Sequence, residues 1–168
     1  MVVVGRASGL GKELGTILLE TADARRPARV APDPPLAPLA EDAIRHGLDA
    51  MCVALPLDLC GYVHLSDGCG PRVALRAPER TGLLPSDVFD LLTAARPVLD
   101  RAPAEAPVRA GGFSALAVAT AGTRSRGLHV VGRRGHGLSR GNRRVAVALA
   151  RAFGNLCHSL EAIDPTLL

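Results

Sequence analysis

Hydrophobic residues recur at three- and four-residue spacing in two long segments, and this pattern predicts helices over residues 40–54 and 140–162. The first segment carries an apolar stripe of Ala43, Ile44, Leu48, Met51 and Cys52. The second carries a stripe of Val145, Leu149, Phe153, Leu156 and Leu160. Ser139 precedes the second helix and is a candidate N-cap, because its hydroxyl can accept a hydrogen bond from a first-turn amide. A shorter helix is predicted over 86–97.

Alternating apolar and polar residues predict strands over 57–66, 72–76, 114–120 and 127–133. Turn-forming residues separate the two members of each pair, so two antiparallel hairpins are predicted. Residues 98–100 are a candidate edge strand, and residues 101–107 are expected to form a loop. Hairpins interspersed with helices predict an α+β fold, in which helices pack on a largely antiparallel sheet.

The first part of the chain differs from the rest. Residues 1–24 are predicted to form a short apolar start followed by a helix, and the prolines of residues 26–38 predict an extended linker. We therefore divide the 168 residues into an N-terminal helix and linker over 1–38, one folded domain over 39–163 and a tail over 164–168.

Composition limits the partners that we expect. The formal charge is +4, and arginine supplies almost all of the positive charge. The aromatic residues are Tyr62, Phe89, Phe113 and Phe153. Nucleic-acid surfaces usually concentrate basic charge and, for single strands, stack bases on aromatic side chains, so a nucleic-acid partner is not expected. The arginine-rich stretch 124–144 is expected to be a solvated surface, and the alternative is a site for an acidic partner or anionic ligand.

The cysteines and the apolar segments indicate the compartment. Cys52, Cys60, Cys69 and Cys157 form no C-x-x-C pair, so no zinc site is predicted. Free thiols are usual in the reduced cytosol. The apolar start is too short for a signal peptide, and no stretch approaches the roughly 20 apolar residues that cross a bilayer. We expect a cytoplasmic protein without a membrane partner.

Two sequence motifs are incomplete. Residues 5–11 resemble the glycine-rich turn of short-chain dehydrogenases, but a proline-rich segment follows in place of a second strand, and no Tyr-x-x-x-Lys occurs. Lys12 is followed by Glu13, which excludes a P-loop. No specific Ser-His-Asp or paired-carboxylate arrangement is visible. The sequence therefore predicts no cofactor and no catalytic residues.

The segment 113–162, which reads FSALAVATAGTRSRGLHVVGRRGHGLSRGNRRVAVALARAFGNLCHSLEA, resembles the end of GAF domains. In that family a small-apolar strand, a polar turn and a glycine-led strand precede a long last helix. Gly127 begins the glycine-led strand here, and Leu138-Ser139 stands at the helix start. Residues 40–76 resemble the first helix and first hairpin of the family.

The resemblance implies a GAF-like fold of the profilin-like, PAS-related kind, with a six-stranded antiparallel sheet. The first and last helices would lie on one face and often form a dimer. A small-molecule pocket would lie on the other face, under a shorter middle helix and loops. The N-K-x-x-x-F-D-E pattern of cyclic-nucleotide-binding members is absent, as is a bilin-attachment Cys-His context, so neither ligand is expected.

Four side chains are candidate ligand-binding residues, chosen by their predicted secondary-structure element and their residue type: Tyr62, His64, Phe89 and Phe113. Tyr62 and His64 lie two apart on a strand, so they share one face with Cys60. His129 is expected to be partly exposed on its strand rather than to bind haem. Cys52 and Cys157 are expected to be buried where the first and last helices pack.

Three functions are consistent with these patterns. The first is a non-catalytic GAF-like domain that senses an unknown small molecule and forms a homodimer through its terminal helices. The second is a protein-interaction or dimerisation module without a ligand. The third is a thiol redox enzyme similar to the free methionine sulfoxide reductases among GAF proteins, which needs a thiol of lowered pKa.

Overall fold

The structure is a computed structural model and describes residues 2–5, 38–67, 71–77 and 82–163. Its elements are, in chain order, β1 (Val2–Gly5), α1 (Pro38–Ala54), β2 (Leu59–Ser66), β3 (Arg72–Arg76), α2 (Pro85–Leu99), β4 (Ala104–Ala110), β5 (Phe113–Ala121), β6 (Ser125–Arg134) and α3 (Arg140–Ile163).

The strands form one sheet in the order β1-β3-β2-β6-β5-β4, and every neighbouring pair is antiparallel. The predicted α+β class with an antiparallel sheet is confirmed. The turn between β4 and β5 contains only Gly111 and Gly112, whose φ angles are +55° and +73°. Two residues of positive φ give the tight turn that suits twisted antiparallel strands, and glycine adopts them without strain.

Helices cover both faces of the sheet. On one face α2 buries Val88, Leu91 and Leu92 against the strands. On the other face α1 contributes Leu48 and Met51, and α3 contributes residues including Ala146, Ala150 and Phe153. The first and last helices of the folded domain therefore share one face, and each buries the stripe that faces the sheet.

Small residues let α3 approach its neighbours closely. The ring of Phe153 occupies the space that a Cβ would take at Gly47 of α1. The Thr120 side chain of β5 does the same at Gly154 of α3. Ser139 caps α3, since its hydroxyl accepts a hydrogen bond from the Asn142 amide at 3.2 Å, as predicted.

Two local predictions were wrong. Residues 98–100 do not form a strand, because α2 continues through Pro97 to Leu99 and buries Val98 and Leu99 in the core. The expected loop at 101–107 includes the start of strand β4. That strand contains Pro107, which cannot donate to a ladder, and it is tolerated because β4 lies at the sheet edge.

The start of the chain joins the sheet. Residues 2–5 form β1, which pairs antiparallel with β3. The helix predicted within 1–24 and the linker predicted over 26–38 lie outside the described residues, apart from the strand and the residue that opens α1. The tail over 164–168 and Cys69 also lie outside them.

Candidate functional site

The structure does not bring the four candidate ligand-binding residues together. Tyr62 and His64 face α1 and α3, in the core on that side of the sheet. Phe113 lies on the opposite face, beneath α2, with the guanidinium of Arg134 4.8 Å from its ring centre. Phe89 lies on α2 and is 37% exposed. The residues thus occupy two faces of the sheet.

A small apolar cavity lies between α2 and the sheet. Its volume is about 20 Å³, and its lining includes Leu59, Val63, Leu91 and Val130. One water molecule needs roughly 10–15 Å³ of such space, whereas small-molecule pockets enclose about 300–1,000 Å³. This cavity is therefore too small for an organic ligand.

A second, open cleft lies where the β4–β5 edge meets the segment before α3. It has a volume of about 110 Å³, and Arg109, Ser114 and Arg143 are its polar lining residues. Arg143 already contacts the carboxylate of Glu105 at 3.8 Å. The cleft therefore presents two guanidinium groups, and Glu105 partly neutralises that of Arg143.

The most distinctive chemistry of the described residues lies on the other face, beneath the second half of α3. We call it the histidine cluster, and it consists of Tyr62, His64, Ser66, Thr120, Ser125, His129, His158 and Glu161. The β2–β6 register aligns Tyr62 with His129, and Ser66 with Ser125. Alternate residues of a strand face the same side, so both strands direct these polar groups toward α3.

Gly127 provides room within the cluster. It stands opposite His64 on β2 and opposite Thr120 on β5. A Cβ at this position would lie 2.8 Å from both the Tyr62 hydroxyl and the Thr120 hydroxyl. The glycine therefore leaves the space over the strand that these two side chains occupy.

Polar contacts lead from β2 to Glu161, although His64 Nε2 itself has no hydrogen-bond partner in the described structure. The Tyr62 hydroxyl lies 2.9 Å from His64 Nδ1, and His64 Nε2 lies 3.7 Å from Glu161 Oε2. The Ser66 hydroxyl donates to Glu161 Oε1. A neutral imidazole has one donor and one acceptor, so we assign the tautomer in which Nδ1 accepts from Tyr62 and Nε2–H faces the carboxylate.

A chain of hydrogen bonds through His158 of α3 joins β5 to β6. His158 Nε2 lies 3.0 Å from the Thr120 hydroxyl, and His158 Nδ1 lies 2.8 Å from the Ser125 hydroxyl. Ser125 also lowers the pKa of Glu161. With Thr120 as donor to Nε2, Nδ1–H of His158 donates to Ser125, while the hydroxyl of Ser66 donates to Glu161, which suits an ionised carboxylate.

His129 takes no part in these hydrogen bonds. The expectation that it would be partly exposed was wrong, because it is fully buried. Both of its ring nitrogens lack a hydrogen-bond partner within the described structure. Its ring instead lies 4.5 Å from that of Tyr62 and meets Phe153 edge-on at 5.1 Å. The imidazole therefore serves as an aromatic packing group.

Burial determines the protonation states in the cluster. It lowers the pKa of His129 to about 3, and it lowers the pKa of His64 to about 4 despite the nearby Glu161. Burial also lowers the pKa of His158. Burial opposes ionisation of Glu161, but hydrogen bonds from Ser125 and Ser66 outweigh it and hold the pKa of Glu161 below its ordinary value. The cluster is thus a carboxylate surrounded by neutral imidazoles.

The cluster is not arranged as a metal centre. Among the described residues, no group of three or more His, Cys, Asp and Glu side chains could hold a metal ion. The nearby thiol of Cys157 is buried, and burial raises its pKa to about 11. The cluster therefore offers neither a ligand set nor a reactive thiolate, and its groups mainly bind one another.

A second feature lies on the outer surface of α3. We call it the α3 stripe, and it consists of Val145, Leu149, Ala152, Leu156 and Ile163. Val145 is 44% exposed, Leu156 50% and Ile163 79%. The face of α3 that contacts the sheet is different and includes Ala146, Ala150 and Phe153. Leu149 is half-buried and packs against the sheet-facing core, so the helix has a second apolar surface that the described chain covers only in part.

Part of the histidine cluster could be predicted from the sequence. The alternation on β2 placed Tyr62 and His64 on one face, and their hydrogen bond confirms it. His158 and Glu161 were missed, although His158 follows Gly154 and Glu161 follows Cys157 by four residues, which is the spacing of the sheet-facing stripe. Thr120 and Ser125 carry no comparable signal, because hydroxyl residues are common at strand ends.

Comparisons with known proteins do not assign a family. A scan against family models found no match, and searches of curated proteins and of solved structures found none either. No described helix is long and apolar enough to cross a membrane. The molecule is therefore defined by its α+β architecture and by the two features of α3.

Proposed function

We propose that this chain is a GAF-like regulatory domain that acts as a homodimer, with α3 as its main contact. The α3 stripe is the observation that carries the proposal. Contiguous exposed apolar surface is uncommon on monomeric proteins and usually marks an interaction site. A regulatory domain without catalysis needs such a surface to pass on a change of state.

The spacing of the stripe supports a helical partner. Val145, Leu149, Ala152 and Leu156 are separated by four, three and four residues, and Ile163 follows one heptad after Leu156. Apolar residues repeating every 3.5 residues on average form the seams along which two helices pack. The α3 stripe therefore fits another helix better than it fits an extended peptide or a sheet edge.

Charge supports a second copy in the antiparallel orientation. The first half of α3 carries Arg140, Arg143, Arg144 and Arg151. In the second half the charged residue is Glu161, and it is buried in the histidine cluster. A parallel pair would bring the two arginine-rich halves together, whereas an antiparallel pair places each beside a half without exposed charge. A two-fold symmetric contact of this kind uses the same patch on both copies.

The architecture supports the GAF-like part of the proposal. Three helices lie on the sheet as the resemblance implies, with α1 and α3 on one face and α2 on the other. The small cavity beneath α2 favours an interaction module over a sensor with a pocket on that face. Regulation would then act through α3. The histidine cluster joins the second half of α3 to the sheet, so a change of state in the sheet would alter the position of this helix.

The proposal is tested by sedimentation velocity over a series of protein concentrations. The wild-type chain is expected to sediment as a dimer. Leu156→Glu is expected to raise the dimer dissociation constant by about 100-fold or more, because leaving a carboxylate in an apolar contact costs roughly 3 kcal/mol or more. The far-UV circular dichroism spectrum should be unchanged, since Leu156 is half exposed in the described chain and the variant keeps its fold.

Asn155→Glu is the matched control. Asn155 precedes Leu156, is exposed, and lies about 100° away around the helix. This variant adds the same charge and is expected to remain a dimer. A wild-type chain that is monomeric at every concentration would contradict the proposal, and so would a Leu156→Glu variant that dimerises as tightly as the control.

A further inference from the structure

The open cleft at the edge of the sheet is built from β4, β5 and the segment that leads into α3. Arg109 stands opposite Ser114 in the β4–β5 ladder, so the two side chains share one face of the sheet. Gly137 lies over Ser114, since a Cβ at Gly137 would be 3.9 Å from the Cβ atom of Ser114. Arg143 of α3 also lines the cleft. Two guanidiniums and a hydroxyl thus border a space of about 110 Å³.

The guanidinium donors of both lining arginines remain available to a ligand. Glu105 of β4 accepts a hydrogen bond from Arg151 at 3.0 Å, whereas its contact with Arg143 is 3.8 Å long and exceeds hydrogen-bond range. Neither Arg109 nor Arg143 donates a side-chain hydrogen bond within the part of the chain that the structure describes. Glu105 is therefore bound mainly to Arg151, and it neutralises Arg143 only in part.

The start of α3 adds positive charge beside the cleft, where a helix ordinarily avoids it. Three of its first five residues are arginines, namely Arg140, Arg143 and Arg144, and its first turn contains no acidic residue. The amide end of a helix carries partial positive charge, so arginines there cost free energy unless an anion balances them. Positions that break such a local rule are often functional. An anion in the cleft would compensate for this excess of positive charge.

Size and charge together favour a phosphoryl group. A water molecule needs roughly 10–15 Å³ of such space and a whole organic ligand about 300–1,000 Å³, so this cleft suits a small anion or one group of a larger molecule. The arginines 109, 143 and 151 with Glu105 leave two positive charges uncompensated. A phosphate monoester carries about −1.5 to −2 charges at pH 7, whereas a carboxylate carries a single charge. Guanidinium groups also match the spacing of phosphate oxygens.

We propose that this cleft binds a phosphoryl group, with Arg109 and Arg143 donating to its oxygens and Ser114 supplying a further donor. The ligand is free phosphate or a phosphate monoester, because the cleft is open and leaves room for an ester group outside it. The site goes beyond the proposed dimer and does not depend on it, since no residue that lines the cleft belongs to the α3 stripe. Glu105 competes with the ligand for Arg143.

The test is a titration of the isotope-labelled full chain with sodium phosphate at constant ionic strength, followed by the NMR chemical shifts of its amides. We expect saturable shifts at Ser114, Gly137 and Leu138, with a dissociation constant of about 1 mM or lower. Acetate is expected to bind about tenfold more weakly or less, because its single charge leaves one guanidinium unbalanced. Leu156→Glu should show the same phosphate shifts, so the result does not depend on dimerisation.

A second arm uses phosphoserine in place of inorganic phosphate. Tighter binding of phosphoserine would identify an esterified phosphate as the ligand, and tighter binding of inorganic phosphate would identify the free anion. Either result supports a phosphoryl site. Acetate that binds as tightly as phosphate would overturn the proposal, and so would phosphate shifts that increase without saturation.

Matched substitutions separate the site from general attraction to a basic protein. Arg109→Gln and Arg143→Gln are each expected to weaken phosphate binding by about tenfold or more, because each removes a charge-assisted donor. Arg124→Gln is the control, since it removes the same charge in the turn between β5 and β6, at the other end of β5 from Ser114. It should leave the dissociation constant within about twofold of the wild-type value.

Glu105→Gln is expected to act in the opposite direction. It removes the carboxylate that competes for Arg143, so phosphate should bind about threefold more tightly or better. Circular dichroism checks that each variant folds, and Arg109 is exposed, so its replacement is not expected to disturb the core. Equal phosphate affinity in Arg109→Gln and Arg124→Gln would overturn the proposal.

Discussion

At the scale of single residues, Glu161 and His129 are both buried polar groups, but only Glu161 has a hydrogen-bond partner in the described structure. Glu161 accepts a hydrogen bond from Ser66, and His64 faces it at 3.7 Å. His129 is fully buried and hydrogen-bonds nothing in the described structure. A buried polar group with partners stabilises a fold, and one without partners costs about 1–3 kcal/mol.

Replacement of His129 should therefore stabilise the protein. We expect His129→Leu to raise the free energy of unfolding by about 1–2 kcal/mol at pH 7, because leucine keeps the apolar contacts and removes the unpaired nitrogens. Urea unfolding followed by circular dichroism measures the change. His158→Leu is the control and should lose about 1–3 kcal/mol, since Ser125 and Thr120 then lose their partner. Destabilisation by His129→Leu would show that its nitrogens are engaged.

The cluster also predicts acid sensitivity. Burial lowers the pKa of His64 to about 4 and that of His129 to about 3, from an ordinary value of about 6.5. At a pH between the pKa in the folded chain and the ordinary value, the unfolded chain binds more protons than the folded chain. The free energy of unfolding is therefore highest above about pH 6.5 and falls as the pH decreases. Each histidine should cost roughly 2 kcal/mol between pH 7 and pH 5.

Urea unfolding at pH 7, 6 and 5 measures this loss. The dependence on pH should be weaker in His129→Leu, because one of the three histidines with a lowered pKa is gone. The lowered pKa of Glu161 acts in the same direction at still lower pH, where its carboxylate would take up a proton. Unchanged stability from pH 7 to pH 5 would contradict the assignment of neutral, buried imidazoles.

The sequence could predict only part of this chemistry. Alternation on β2 placed Tyr62 and His64 together, because strand residues two apart share a face. The same rule could not determine the burial of His129. Its neighbours Leu128 and Val130 are apolar as well, and both faces of β6 are covered by helices. A strand buried on both sides gives no alternation to read.

At the scale of elements, the fit of α3 on the sheet depends on Gly154. A Cβ there would overlap the Oγ1 atom of Thr120 and lie 2.8 Å from its Cγ2 atom. We expect Gly154→Ala to destabilise the protein by about 1–3 kcal/mol through overpacking, despite the better helix propensity of alanine. The urea midpoint measures the change.

Gly141→Ala is the control in the same helix. A Cβ at Gly141 meets nothing within 4 Å, so this variant should gain about 0.5–1 kcal/mol from helix propensity alone. Two identical substitutions in α3 are thus expected to have opposite signs. If Gly154→Ala stabilises the protein as Gly141→Ala does, α3 does not lie as close to β5 as the structure places it.

The elements also show where sequence reasoning failed. Helices α1 and α3 were predicted closely, because their apolar stripes are long and periodic. The strand β4 was missed, because its proline and alanine residues are weak strand formers. Pairing with β5 and the two-glycine turn determine its structure, and these are tertiary constraints that no local pattern contains.

At the scale of the whole molecule, α3 carries more apolar residues than the described fold buries. The sequence predicted one stripe that combined Val145, Phe153 and Leu156. The structure separates them, with Phe153 in the core and the other two on the surface. The helix α3 has apolar residues on two of its faces. The pattern alone therefore could not distinguish the residues that face the sheet from those that face a partner.

The antiparallel homodimer is tested most directly by isotope-filtered NOE spectroscopy on a mixture of labelled and unlabelled chains. Only contacts between copies give signals in this experiment. We predict signals between the Val145 methyl groups of one copy and the Ile163 methyl groups of the other, near the opposite ends of the α3 stripe. The absence of any signal between copies would contradict the account, as would signals joining Val145 to Val145.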